Sequence, residues 1–362
     1  MADPYGLQRR QFLKRMGCAV GAAALGGRTL LTPLAGTTRT GDAPRADDPY
    51  GPVRFPVRRL GQAAPSARVS LVKGDNRYKI VFRSLELIKD EILDSIGNKK
   101  VLIKPNIVLA DCAACVTHID ALRAVLDFIT PHVKGPILIA ESSVQNTTEG
   151  FRYNNYMRLE KEYNTRLMDL NTDTFQYRYV LGLDNKPSRI RIINTLLDPD
   201  LYVISVARMK THNYVFVTLS IKNVIMASPL NDYKVNDKGL MHQAAPARHD
   251  LLHYNMFHIG QEVFPDLAVI DGFVGIEGNG PAWGSPIASH VALAGRDAVA
   301  ADVTATRVMG FDPGIVNYLN AMAEAGMGQG DPARIEVLGA PVEECITKYK
   351  PNARMAELYK LT

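Results

Sequence analysis

Cysteine is scarce in this chain, with only four among 362 residues. Cys18 falls in a basic N-terminal segment, which leaves an odd number beyond it and weakens the case for a disulfide framework. Cys112 and Cys115 have the spacing of a redox pair, yet one such pair cannot complete a four-cysteine metal or cluster site. No iron–sulfur cluster is therefore predicted, and the pair is expected to be either a disulfide or two small buried residues.

Several catalytic signatures are also missing. The sequence contains no glycine-rich dinucleotide fingerprint, no P-loop and no Gly-x-Ser-x-Gly elbow. It has no basic stripe interleaved with aromatic residues, so nucleic acid is not a predicted partner. What remains is an ordinary globular composition, 46% hydrophobic and 22% charged. A chain of this length predicts roughly two domains, or one large α/β domain with insertions.

The N-terminal segment is typical of an export signal. Arg9 and Arg10 precede a short apolar run rich in alanine and glycine, which is too short and too weakly apolar for a comfortable membrane span. Paired arginines in this position predict a twin-arginine signal over 1–35, with the twin-arginine translocase as the partner during export. No stable membrane span is expected after cleavage, and 36–65 is predicted to be a flexible tether. The alternative is a basic amphipathic arm that is not removed.

Beyond the tether, apolar strands alternate with helical patterns. Segments 68–74 and 100–106 predict buried strands, and apolar residues at helical spacing predict a helix over 84–96 between them. Continuous apolar strands alternating with helices indicate a mainly parallel sheet with helices on both faces. The prediction is a single α/β domain over 66–362, with a polar hairpin insertion at about 147–197.

Polar residues follow the predicted strands where each one ends. Lys104 and Asn106 end one strand, Glu141 the next, and Lys210 and His212 another. Ligands of open α/β sheets bind in the crevice outside the carboxyl ends of the strands. For any one of these residues alone, exposure to solvent at a strand end is the favoured explanation. Their repetition across strands favours a binding crevice for a small anion.

The stretch 209–223, MKTHNYVFVTLSIKN, is apolar in its middle and polar at both ends. It predicts a buried strand whose ends, Lys210 and His212 on one side and Lys222 and Asn223 on the other, reach the crevice. Lysines 104, 210 and 222 are predicted to contact the anion, since an ammonium group is a compact donor for phosphate or carboxylate. Lys210 and His212 are the predicted catalytic residues, with the imidazole as the acid–base group.

Three carboxylates form a second group. Asp271 and Glu277 flank glycines in DGFVGIEGNGP, and Asp302 lies near the start of a predicted helix. Carboxylates from a strand end, a loop and a helix are ligands for a hard divalent cation, so these three are the candidate metal ligands. The alternative is that they form ion pairs with the lysines and hold no metal.

The remaining histidines are weaker candidates. His249 and His253 lie one helical turn apart, as in zinc peptidases, but an aspartate replaces the usual glutamate and no third ligand follows. His253 is included among the ligand-binding candidates. Thr117 and His118, at a predicted helix start, are expected to face the crevice as well.

The order of these motifs resembles a known family. VLIKPNIV, THID, KTHNYVFVTLSIKN, RHDLLH, DGFVGIEGNGPAWGSP and RDAVAADVTATRVMG occur in the order seen in domain of unknown function family 362. The resemblance covers most of the chain from about residue 66. It implies twin-arginine export, common in the family, and an α/β fold, but no settled reaction. Some members carry ferredoxin-like iron–sulfur modules; the cysteine-rich stretch of those modules is missing here.

Two classes of function follow from the sequence. The first is an exported enzyme that acts on a small anionic substrate at the strand-end crevice, either with a divalent metal or without one. The second is an exported accessory protein that holds a metal or cofactor for another assembly, without turnover.

Overall fold

A computed structural model of the chain describes residues 66–110, 112, 115–232, 234–242, 248 and 250–360. The predicted signal (1–35), the predicted tether (36–65) and His249 lie outside these residues. Among the described helices, none combines the length and apolar character that a membrane crossing requires.

Eleven strands are defined in the described chain. They are β1 (Ala67–Lys73), β2 (Lys100–Lys104), β3 (Ile137–Glu141), β4 (Thr165–Asp169), β5 (Phe175–Leu181), β6 (Pro187–Ile193), β7 (Leu201–His212), β8 (Phe216–Thr218), β9 (Leu267–Glu277), β10 (Ser285–Gly295) and β11 (Ile335–Gly339).

The α-helices alternate with these strands. They are α1 (Arg77–Glu86), α2 (Lys89–Ile96), α3 (Ile119–Ile129), α4 (Thr147–Tyr153), α5 (Leu159–Glu162), α6 (Ser220–Ile225), α7 (Asp237–His242), α8 (Asp250–Gly260), α9 (Ala298–Val308), α10 (Asn317–Glu324), α11 (Val342–Cys345) and α12 (Ala353–Leu358). The helix predicted over 84–96 is in fact two helices, α1 and α2.

One mixed sheet of nine strands organises the fold. Its order is β11-β1-β10-β9-β7-β2-β3-β4, and β8 pairs with β7 at the side. The neighbours from β9 to β4 are all parallel, as are β1 and β11, whereas β10 runs antiparallel to both β1 and β9. The predicted α/β class with a mainly parallel sheet is therefore confirmed.

The apolar strands are buried on both faces because helices cover both faces. Val101 and Ile103 of β2 belong to one buried cluster with Leu122 and Val125 of α3, whereas Leu102 belongs to the opposite cluster. Successive strand side chains point to opposite faces, so three consecutive apolar residues need two separate cores. This is why β2 has no polar residue between Lys100 and Lys104.

The stretch 209–223 is not one strand. Strand β7 ends at His212, turns back through the short antiparallel β8, and is followed by helix α6, which carries Lys222 and Asn223. Since β2 ends at Lys104, paired with Ser205, β7 extends beyond its neighbour before it turns. Helix α6 then returns to the level of Ser205. The two polar ends of the stretch are therefore brought together at the carboxyl end of β2 by the turn back through β8 and α6, and they are not the two ends of a single strand.

The predicted insertion at about 147–197 is narrower than expected. Strand β4, within that range, pairs with β3 in the main sheet, and only β5 and β6 form a separate two-stranded hairpin. The polar character of the range misled the prediction, because β4 is an edge strand and an edge strand tolerates polar residues.

Gly280, in the turn after β9, and Gly239, on helix α7, differ in how closely other atoms surround them. A Cβ at Gly280 would collide with the backbone carbonyl of Thr211, whereas one at Gly239, on the exposed side of α7, would have no atom within 4 Å. We expect Gly280→Ala to lower the free energy of unfolding by about 1–3 kcal/mol, the usual cost of forced overpacking. Gly239→Ala should instead raise it by about 0.5–1 kcal/mol, because alanine is the better helix former. Urea denaturation measures both, and equal effects of the two changes would contradict this packing.

Candidate functional site

The carboxyl ends of β2 and β3 meet helices α6 and α7 around a cavity of about 130 Å³. Its lining residues are Lys104, Asn106, Ile107, Val108, Glu141, Ser142, Val144, His212, Thr218, Lys222, Asn223, Met226, Ala227, Lys238, His242 and Pro281. Three lysines and one carboxylate line it, so the described walls carry an excess of basic groups. The sequence prediction placed six of these residues at one crevice: Lys104, Asn106, Glu141, His212, Lys222 and Asn223.

Lys104 and Glu141 form a buried ion pair at the base of the cavity. Lys104 Nζ lies 2.8 Å from Glu141 Oε1 and donates a further hydrogen bond of 2.6 Å to the carbonyl of Pro105. The two Glu141 oxygens also accept from the backbone N–H groups of Ser142 and Ile107, each at 2.7 Å. Burial lowers the pKa of Lys104, and the charge of Glu141 opposes that shift. This pair is compensated within the protein and does not require a ligand.

Asn223 links the helix to the strands. Its Oδ1 accepts from Lys104 Nζ at 3.1 Å and from Asn106 Nδ2 at 3.0 Å. Its Nδ2 donates to the Lys104 carbonyl at 3.0 Å and to Ser205 Oγ at 3.1 Å. Asn223 is therefore a structural junction as well as part of the lining.

Lys210 does not line the cavity, contrary to the prediction that it contacts the ligand. Its amine is buried behind Asn106, donating to Asn106 Oδ1 and to the carbonyl of Cys115. Burial lowers the pKa of Lys210 well below its ordinary value, and the charges of Lys222 and Arg208 add to the shift. Lys210 thus holds the side chain of Asn106, which lines the cavity, without lining the cavity itself.

Lys238 and His242 were missed by the sequence analysis. Both lie on α7, which follows a polar loop and gives no sign in sequence that it reaches the strand ends. Lys238 Nζ donates to Ser142 Oγ at 2.8 Å and to the carbonyls of Met226 and Ala227 at 2.9 and 3.3 Å. Burial lowers the pKa of Lys238 to about 7.

Lys222 differs from the other lysines. Its side chain is only 6% exposed and lines the cavity. Its amine makes no hydrogen bond or ion pair with any residue that the structure describes. Burial alone lowers the pKa of Lys222 to about 7. Burying an amine without a partner is costly, so this group is the feature of the cavity that most needs a ligand.

His212 presents one imidazole nitrogen to the cavity. Its Nδ1 accepts the backbone N–H of Tyr214 at 3.0 Å, which places the proton of the neutral ring on Nε2. Burial lowers the pKa of His212 well below its ordinary value, and the charge of Lys222 contributes. The ring of His242 lies 5.6 Å away, and burial lowers its pKa to about 3. Both imidazoles are therefore neutral at neutral pH.

The three predicted metal ligands do not converge. Asp271 is paired with Arg77 at 3.1 Å, and Glu277 accepts the backbone N–H of Lys350 at 2.8 Å. Asp302 accepts from both Ser220 N at 2.9 Å and Ser220 Oγ at 2.5 Å, and so caps helix α6. No group of three or more metal-ligating side chains occurs among the described residues. The structure does not bring the three together, because each carboxylate accepts from a different structural donor.

Thr117, His118 and His253 are also absent from the cavity lining. Thr117 Oγ1 donates to the carbonyl of Val206 at 2.6 Å, and His118 caps helix α3 by accepting from Asp120 N at 3.2 Å. His253 is fully buried and accepts the backbone N–H of Tyr318 at 3.1 Å. Each has a partner in its local structure, and none lines this cavity with the other predicted residues.

Of the two expectations for the paired cysteines, the disulfide is the one observed. Cys112 and Cys115 are joined, with their Cα atoms 5.5 Å apart. Cys115 lies against Ile276 and Ala282 in a small apolar cluster beside the cavity.

Comparison with known families shows to which family the chain belongs. The family described as Domain of unknown function (DUF362) matches residues 101–307, which contain every lining residue of the cavity. The chain belongs to this family, and the resemblance noted in its sequence is confirmed. The family description states no activity.

A curated relative and two solved structures are similar to the chain. The thylakoid-associated protein sll1697 of Synechocystis is 23% identical over 268 residues, covering 72% of this chain and 80% of that protein. The lactate racemase apoprotein of Thermoanaerobacterium thermosaccharolyticum aligns with a TM-score of 0.39 at 14% identity, over 68% of this chain and 57% of that one. A Thermotoga maritima protein aligns with a TM-score of 0.34 at 10% identity, over 70% and 60%. The chain spans less than two thirds of the length of either structure.

The unpartnered amine predicts an unusual pH dependence of stability. The pKa of Lys222 is about 7 in the folded protein against 10.5 for the free side chain, so between these values the unfolded chain binds more protons. Its contribution to stability therefore rises with pH from about 7 to about 10. We expect Lys222→Met to raise the free energy of unfolding at pH 6 by about 1–4 kcal/mol, and the advantage to shrink toward pH 10.

Lys238→Met is the matched control for this measurement. It removes a lysine of similar pKa from the same cavity but leaves three acceptors without their donor, so it should destabilise the protein at pH 6. Urea denaturation of both variants between pH 6 and 10 provides the test. Destabilisation of Lys222→Met to the same extent would show that Lys222 has a structural partner.

Proposed function

We propose that this protein binds a small anion in the cavity between the ends of β2 and β3 and helices α6 and α7, and acts on it by proton transfer. The single observation that carries the proposal is the amine of Lys222, which is buried, lines the cavity and has no partner among the described residues. A negatively charged ligand would supply that partner.

The size and charge of the cavity support the same class of ligand. Its volume, about 130 Å³, is well below the roughly 300–1,000 Å³ of pockets that bind drug-sized molecules, which favours a small ligand. Lys104 and Lys238 line it together with Lys222, whereas Glu141 is the only acidic lining residue among those described. Because Glu141 is already paired with Lys104, the remaining basic groups have no acidic counterpart in the wall.

His212 supplies a hydrogen-bond donor for the proposed proton transfer. With Nδ1 accepting the N–H of Tyr214, the neutral ring carries its hydrogen on Nε2 and can donate a hydrogen bond that stabilises negative charge on a bound ligand. Lys222, with a pKa of about 7, exists in both protonation states near neutral pH and can act as the matching base. A binding protein without turnover would need the anion contacts but no such pair.

We further propose that the protein is exported in its folded state by the twin-arginine route. The support is the pairing of Arg9 and Arg10 ahead of a short, weakly apolar run. This part of the proposal is independent of the cavity.

Anion binding is tested by calorimetric titration with inorganic phosphate, sulfate and oxalate. We expect at least one to bind the wild-type protein, and Lys222→Met to weaken that binding by about tenfold or more, since a hydrogen bond to a charged group contributes about 1.5–3 kcal/mol. Lys89→Met, which removes an exposed lysine on α2, should leave the affinity unchanged. The proposal fails if none of the three anions binds, or if both variants bind as the wild type does.

Export is tested by replacing Arg9 and Arg10 together with lysine. The double substitution keeps the charge but removes the paired guanidinium groups, so the precursor should accumulate in the cytoplasm. Fractionation of cells and immunoblotting distinguish precursor from exported protein. Unchanged export of the double variant would exclude the twin-arginine route.

A further inference from the structure

We infer that Lys222 is a nucleophile that forms an imine with a small aldehyde or ketone carrying an anionic group, a 2-oxo acid being the simplest class. The inference rests on the proposed anion site and names its substrate class. It is carried by the geometry of three lysines in one cavity, of which only Lys222 has an amine with no acceptor among the described residues.

The contrast with the other two lysines is the main argument. Lys104 donates to Glu141, Pro105 and Asn223, and Lys238 donates to Ser142, Met226 and Ala227. Acceptors of this kind favour the protonated form of an amine, in which the nitrogen lone pair is used in an N–H bond. Lys222 meets none of them among the described residues, so its nitrogen is free to present a lone pair to the cavity.

The surroundings keep this amine uncharged for part of the time. Lys222 is only 6% exposed, and burial lowers the pKa of its amine to about 7, so both the neutral and the protonated form are present near neutral pH. Desolvation in an apolar pocket is one of the ways in which proteins activate lysine as a nucleophile. Met226 and Ala227, which follow on the same segment, together with Val144 and Pro281, supply apolar wall around the cavity.

The covalent step is balanced without any other reactant. The lone pair of Lys222 Nζ attacks the carbonyl carbon, the π electron pair moves to the oxygen, and one of the two Nζ protons passes to that oxygen to give a carbinolamine. The second Nζ proton then passes to the hydroxyl group, the carbon–oxygen bond breaks, and the oxygen leaves as water while the C=N bond forms. His212 Nε2–H can donate a hydrogen bond to the oxygen while it carries negative charge, and the basic lining at Lys104 and Lys238 favours the anionic group electrostatically.

The inference is consistent with binding of anions that have no aldehyde or ketone group. Phosphate or oxalate would be held by the protonated form of Lys222, whereas a 2-oxo acid would react with the neutral form. A pKa of about 7 makes both forms accessible at neutral pH. The two kinds of ligand should therefore compete for one site.

Reductive trapping tests the inference directly. The full chain is incubated with pyruvate or glyoxylate and sodium cyanoborohydride, and the modified lysine is located by peptide mass mapping. We expect one adduct per chain, on Lys222, formed more slowly in the presence of whichever anion binds. Its rate should rise with pH through about 7, whereas exposed lysines react appreciably only toward their ordinary pKa of about 10. Lys222→Arg should abolish the adduct and still bind the anion, because arginine keeps the charge but forms no imine under these conditions.

Each outcome decides between the proposals. An adduct on Lys222 that Lys222→Arg abolishes supports the imine. Modification of Lys238 to the same extent as Lys222, or labelling confined to exposed lysines, overturns it. Anion binding without any adduct from either 2-oxo acid overturns the imine but leaves the anion site intact. Absence of both anion binding and adduct overturns the two proposals together.

Discussion

Asn223 is the junction on which the geometry of the cavity depends. Its side-chain amide uses both donors and both acceptor positions, joining helix α6 to the end of β2 and to Ser205 of β7. Because Lys222 is the preceding residue on the same helix, this junction also fixes the direction in which the Lys222 amine enters the cavity. A helix of six residues has little stability of its own, so its position must come from such contacts and from the cap that Asp302 provides. The two interactions hold the helix from its first turn and from its middle.

Much of this fold follows from the sequence, for a clear physical reason. Continuous apolar strands separated by helices can be buried only in a sheet covered on both faces, and the alternation of Val101, Leu102 and Ile103 between two cores shows that constraint at work. The gathering of Lys104, Asn106 and Glu141 was predictable because parallel strands present their carboxyl ends at the same edge. The place of Lys222 and Asn223 was predicted correctly but for a wrong reason, since the turn after His212 brings them back on a helix. The helix itself is short and rich in β-branched residues, which do not separate it from a strand by pattern.

The rest of the site could not be predicted because a sequence does not show which partner a charged group has. Asp302 looks the same in sequence whether it binds a metal or caps a helix, and its donors, Ser220 and Ile221, lie about eighty residues away in the chain. Lys238 is a similar case, since its acceptors at Met226 and Ala227 become apparent only after α7 is placed. Lys210 was assigned to the ligand because it ends a predicted strand together with His212. Its side chain is not part of the cavity lining, however, and its amine lies behind Asn106.

The family assigns a fold and a set of motifs, whereas function must be argued from the site, since one fold supports many chemistries. Most of the polar residues at this cavity have structural tasks: Asn223 joins elements, Glu141 holds Lys104 and the N–H of Ile107, and Lys238 holds the chain at Met226 and Ala227. Removing these from the list of candidates leaves Thr218 Oγ1, the ring of His242 and two further nitrogens without a hydrogen bond to a described residue, and the proposal rests on those two nitrogens, the amine of Lys222 and the Nε2–H of His212. The Lys222 amine, with a pKa of about 7, occurs in both charge states near neutral pH. The His212 ring carries its hydrogen on Nε2, because the backbone N–H of Tyr214 occupies Nδ1. An amine buried beside such a donor does not stabilise the fold, because its burial costs solvation free energy and gains no hydrogen bond. Its retention in the cavity is most simply explained by a ligand that supplies both the charge and the reactive atom.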